Sequence, residues 1–198
     1  MIRKRREERL QNVERRRRER VLTLIGLAAV AGLIIAALGY MLYLAMQMSM
    51  PVEGVQEFSV SASHSAETIA YDPAPPVGGE HDPTPQTCGF YALPIRNENA
   101  VHSLEHGAVW ITYRPGLPVD QLQRLQAIAR DEPKVLVSPY AGLPSPIVAS
   151  SWGRQIQLGS AADERLQQFV RRYRGMAPEP TAPCAGIGTP LLESTGGR

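Results

Sequence analysis

The chain has 198 residues and a formal net charge of +2, and once its long apolar segment and that segment's flanks are set aside, roughly 110 to 120 residues remain for one soluble domain. That leaves room for one modest core and not for two. The near-neutral total hides an asymmetry: residues 1–20 hold ten Lys and Arg against four Glu, leaving eleven basic against fifteen acidic side chains elsewhere.

Residues 1–20 read as a basic cytoplasmic arm and residues 21–46 as a single-pass transmembrane helix. From Val21 to Val52 there is no Asp, Glu, Lys, Arg or His, a stretch long enough to cross a hydrocarbon layer of ~30 Å. The alternative is a cleaved signal peptide, whose apolar region runs ~7 to 15 residues before a small-residue cleavage site. Met48-Ser49-Met50-Pro51 offers no such site. The cationic flank keeps the N-terminus inside and sends everything after about Met50 to the periplasmic or extracellular side of the cytoplasmic membrane. An arginine-rich arm also suits nucleic acid. Beside a span, however, the simpler partner is membrane lipid, with anionic headgroups contributing ~1 kcal/mol per basic side chain, so no nucleic-acid partner is expected.

After a juxtamembrane linker (47–60) the exported domain is expected over 61–184, followed by a flexible tail (185–198). Ser61 to Glu67 is polar and turn-like, and His64 falls there. Pro73, Pro75, Pro76, Pro83 and Pro85, with Gly78 and Gly79, exclude helix and central strand, so Tyr71 to Thr87 reads as a surface loop carrying His81. The β-branched and aromatic run from Ala108 to Tyr113, stopped by Arg114-Pro115-Gly116, predicts a buried strand. Val119, Leu122, Leu125, Ile128 and Ala129 keep the spacing of an amphipathic helix over Val119–Asp131. Strands follow at Lys134–Ser138 and Ile147–Ser151, with Trp152–Leu158 extending the hairpin. Leu166, Phe169, Val170 and Tyr173 mark a closing helix over Ala161–Arg174. This β-α-β-β-α order predicts an α+β domain, a mixed sheet packed by two helices.

His102, Glu105 and His106 lie within five positions in a chain of four histidines. On a helical turn His102 and His106 share one face with Cβ atoms ~5 to 6 Å apart, whereas four residues of strand separate them by ~13 Å. A shared ion therefore requires a turn of helix ending at Gly107, a residue suited to a left-handed helix end. Glu105 serves as ligand, as orienting partner or as proton acceptor. A third imidazole comes from His81 on the proline loop, while His64, near the linker, is set apart. Copper or zinc suits such ligands. A metal-free hydrogen-bonded cluster of the same residues, fastening the loop to the sheet, stays open beside this.

Cys88 and Cys184 both fall on the exported side, where disulfides persist. Pairing them closes nearly the whole domain and stabilises it by ~4 to 5 kcal/mol on chain-entropy grounds. Free thiols, or a thiolate joining the histidines on a metal, are the alternatives.

Pro75-Pro76-Val-Gly-Gly79-Glu-His81, Cys88-Gly-Phe-Tyr91, Val101-His-Ser-Leu-Glu-His-Gly107, Val109-Trp-Ile-Thr-Tyr113-Arg-Pro115 and Trp152-Gly153 together resemble a bacterial family of membrane-anchored proteins, domain of unknown function 3105, over about Val60 to Glu179. Gly79-Glu80-His81 departs from the Ser-Gly-Pro-His usual in that family. The resemblance implies the domain limits and the grouping of His81, His102, Glu105 and His106, and it names no reaction.

Three functions fit the residues. The first is a non-catalytic, membrane-anchored metal-binding domain with His81, His102, His106 and Glu105 at the ion. The second is an accessory subunit of a membrane protein complex, for which Gly26, Gly32 and Gly39 allow close helix approach. The third is a small zinc hydrolase, because His102-Ser-Leu-Glu105-His106 also spells His-x-x-Glu-His.

Overall fold

The uncharged run after Arg20 lies within a single helix, α1 (Ile2–Ser49). In the computed structural model, which describes residues 2–49 and 51–191, this helix forms one unit (1–50) and the rest of the chain a second (51–198). The 30 residues Arg15–Leu44 are long and apolar enough to cross a membrane, about 45 Å at 1.5 Å per residue. Every side chain from Val21 to Leu44 is exposed, so Leu, Ile and Val bury nothing within the helix's own unit. Met1 and the arm's side chains before Arg15 lie outside the described residues.

The second unit is the expected α+β domain, a mixed sheet covered by helices. Its strands are β1 (Gln56–Glu57), β2 (Ala62–His64), β3 (Gly79–His81), β4 (Gly89–Phe90), β5 (Val109–Tyr113), β6 (Val135–Pro139), β7 (Ile147–Ser151) and β8 (Arg154–Leu158), and its helices are α2 (Asn97–Glu105), α3 (Val119–Asp131) and α4 (Glu164–Tyr173). The expected β-α-β-β-α order describes only the stretch from β5 to α4, where β8 adds a strand, and four short strands and α2 precede it.

Six strands form the main sheet in the order β1-β8-β7-β5-β6-β4. β5 and β6 run parallel across the α3 crossover, while β7 and β8 are antiparallel to their neighbours. Successive residues of β5 point to opposite faces. Val109, Ile111 and Tyr113 join a core with Leu125 and Ile128 of α3 and Leu166, Phe169 and Val170 of α4. Trp110 enters a separate cluster with Leu136 and with Ala100 and Leu104 of α2. Both faces of the sheet are thus covered, and α2 is the cover on the second face.

α2 gives way to β5 at Gly107, whose φ of +84° and whose pro-Cβ position 2.8 Å from the Gly175 Cα leave no place for a side chain. A separate two-stranded sheet pairs β2 with β3 in parallel, placing His64 opposite His81. Of the expected tail, residues 192–198 lie outside the described residues. Ile187 and Leu191 are hydrogen-bonded to Pro85, Thr87 and Phe90.

Candidate metal centre

Three elements bring imidazoles to one place. Parallel strands lie ~4.8 Å apart with paired side chains on a common face, and the His64 and His81 ring centroids are 4.8 Å apart. α2 contributes His102 and, one turn on, Glu105 and its C-cap His106. The His102 ring lies 5.0 Å from His81, 5.1 Å from His64 and 4.5 Å from His106. His81 is fully buried and packs edge-on against Trp152, which walls the site.

The ligating atoms of His64, His81, His102 and Glu105 all lie within 4.8 Å of one another, a group able to hold a metal ion. Two ligands of an ion bonded at ~2.0–2.1 Å stand at most ~4.2 Å apart, so the widest pair must close by about half an ångström or more. His64, with 52% of its side chain exposed on a three-residue strand, is the member least constrained by packing.

The backbone sets the ring orientations. His81 Nδ1 donates to the Gly79 carbonyl at 2.7 Å, His102 Nδ1 to the Asp82 carbonyl at 2.7 Å, and His106 Nδ1 to the Pro183 carbonyl at 2.9 Å. A carbonyl only accepts, so each ring carries its proton on Nδ1, and in the neutral form Nε2 is a bare lone pair. Burial holds His102 below the ordinary imidazole pKa, which keeps that lone pair available. Asp82 is itself held by Thr84 N at 2.8 Å and Arg96 Nη1 at 2.7 Å, and the Thr84 amide keeps its carboxyl below the usual range.

With the rings neutral, these lone pairs meet other acceptors. His81 Nε2 faces Glu105 Oε2 at 2.9 Å, and His102 Nε2 faces His106 Nε2 at 3.0 Å. Acceptor against acceptor in a buried site is costly. A proton on one Nε2 of each pair, or a metal cation between the two atoms, removes the conflict.

The expected set was His81, His102, Glu105 and His106, with His64 set apart. The placement of His64 is corrected: β2 pairs with β3 and carries it to His81, in place of the expected polar turn. His106 lies outside the group, with its Nε2 3.0 Å from His102 Nε2 on one side and 3.6 Å from Glu179 Oε2 on the other. Only the scarcity of histidine in the chain pointed to His64, and nothing pointed to the β2–β3 register. Cys88 and Cys184 are paired, with Cα atoms 5.5 Å apart, so neither supplies a thiolate.

Comparison with protein families matches residues 63–186 to the one described as Protein of unknown function (DUF3105). Comparisons with curated proteins and with solved structures give no match.

Proposed function

The chain belongs to the DUF3105 family, whose description assigns no activity, and from the site together with the apolar helix α1 we propose that this protein is a membrane-anchored domain that binds copper or zinc without catalysing a reaction. The observation that carries the reading is the arrangement of ring nitrogens: every Nδ1 of His81, His102 and His106 is committed to a carbonyl, which aims the lone pairs at one another and at Glu105. His64, His81, His102 and Glu105 supply three nitrogens and one oxygen, a set that suits either metal.

The second unit is proposed to face the periplasm or exterior, with α1 in the cytoplasmic membrane and its N-terminus inside. The basic arm and the uncharged run after it support that orientation, and anionic lipid is then the arm's partner. A complex of membrane proteins is a further partner of the same helix.

The zinc-hydrolase reading stands third, behind that of an accessory subunit without metal. It asks Glu105 to activate water, whereas Glu105 Oε2 is in contact with His81 Nε2.

Adding zinc or copper(II) to the metal-free full chain in detergent raises its melting temperature, by about 2.7 kcal/mol of stability at a free ion concentration one hundred times Kd. His81→Ala combined with His102→Ala abolishes the shift. An unchanged melting temperature with either ion, and no ion retained after desalting, contradicts the proposal.

A further inference from the structure

One close pair of ring nitrogens extends outside the four-ligand group. His106 Nε2 lies 3.0 Å from His102 Nε2 and 3.6 Å from Glu179 Oε2, yet neither His106 nor Glu179 belongs to that group. Two ligands on one tetrahedral ion bonded at ~2.0–2.1 Å stand about 3.3 Å apart, and the spacings on either side of His106 bracket that value. The other half of the centre has the same form, with Glu105 Oε2 2.9 Å from His81 Nε2 and 3.7 Å from His64 Nε2. The six side chains thus divide into two sets of equal composition, each with two imidazoles and one carboxylate.

We infer that the centre takes two transition-metal ions, the second held by His102, His106 and Glu179. The inference rests on the metal-binding reading above and goes beyond it by adding a position and its ligands. With one ion bound, His102 completes the shell of His64, His81 and Glu105. One Nε2 lone pair bonds one ion, so a second ion takes His102 over, and each ion then has three protein ligands and an open place for water.

The second position is built by the strap that follows α4. Glu179 N donates to the Glu105 carbonyl at 3.0 Å, which sets Glu179 beside the end of α2. Lys134 Nζ donates to the carbonyls of His106, Pro180 and Ala182 at 2.8, 2.7 and 2.8 Å. Pro183 accepts from His106 Nδ1, and the next residue, Cys184, is tied to Cys88. The second ion binds more weakly than the first, because it meets a like charge nearby and because Glu179 is 57% exposed.

The test is equilibrium dialysis of the full chain in detergent against buffered zinc, with bound zinc counted per chain. Two ions bind in steps at the unaltered chain, and only one binds to Glu179→Gln or to His106→Ala. Copper(II) loaded to saturation then gives an electron paramagnetic resonance spectrum with dipolar coupling between two centres, and the coupling is lost in Glu179→Gln. Saturation of the unaltered chain at one ion overturns the second position and leaves the first standing. Two ions retained by both variants place the second ion elsewhere and overturn it as well. Failure to bind any zinc or copper removes the underlying reading together with this one.

Discussion

Glu105 is the residue at which a metal centre and an ordinary ion pair give opposite expectations. If the His81 Nε2 lone pair faces an ionised carboxylate, as the Nδ1 bond to Gly79 at 2.7 Å requires of the neutral ring, then Glu105→Gln supplies the missing N–H donor. At pH 8 without metal, Glu105→Gln is therefore expected to stabilise the chain by about 1 kcal/mol. Its affinity for zinc is expected to fall at least tenfold, because a charged ligand is lost. Denaturant unfolding of the metal-free protein reads the first effect and zinc titration the second. An imidazolium–carboxylate pair predicts destabilisation instead. At this scale the sequence was informative about α2, where helical spacing alone brings His102, Glu105 and His106 together. It was silent about His64, because that residue lies seventeen positions before His81 and a three-residue exposed strand has no alternation from which pairing can be read.

Among the elements, α2 does most to position the site, and it was legible only as a turn of helix before Gly107. Its apolar residues Ala100, Val101 and Leu104 are too few for a clear amphipathic stripe, and its helicity draws on packing against Trp110 and Leu136 more than on propensity. The helices α3 and α4 carry clear helical periodicity, and the strands β5 to β7 are short, wholly buried runs bounded by turn residues, so both were readable in outline. The junction after α2 is set by Gly107. Gly107→Ala places a side chain at φ +84° and 2.8 Å from the Gly175 Cα, so it is expected to cost about 2 kcal/mol or more. It also strains the hydrogen bond from Gly175 N to Gly107 O. Thermal unfolding checks this, and a variant as stable as the parent would mean that α2 can end without the left-handed residue.

For the molecule as a whole, the disulfide links the residue before β4 to the strap that carries Glu179 and Pro183. Cys88 and Cys184 are 96 residues apart in sequence, and opening a loop of that size costs about 4 to 5 kcal/mol on chain-entropy grounds. Cys88→Ala with Cys184→Ala is expected to lower stability by that amount. The same pair reports compartment: alkylation of intact cells before lysis, followed by intact mass, is expected to find both sulfurs blocked by the bond. Two alkylated thiols would place the domain on the reducing side of the membrane.

The centre itself is tested most directly by X-ray absorption at the zinc edge, on the full chain loaded with half an equivalent of zinc. The arrangement of His64, His81, His102 and Glu105 predicts a first shell of nitrogen and oxygen alone at about 2.0 Å, with outer-shell scattering from three imidazoles. A sulfur shell near ~2.3 Å, or scattering from fewer than two imidazoles, would contradict it.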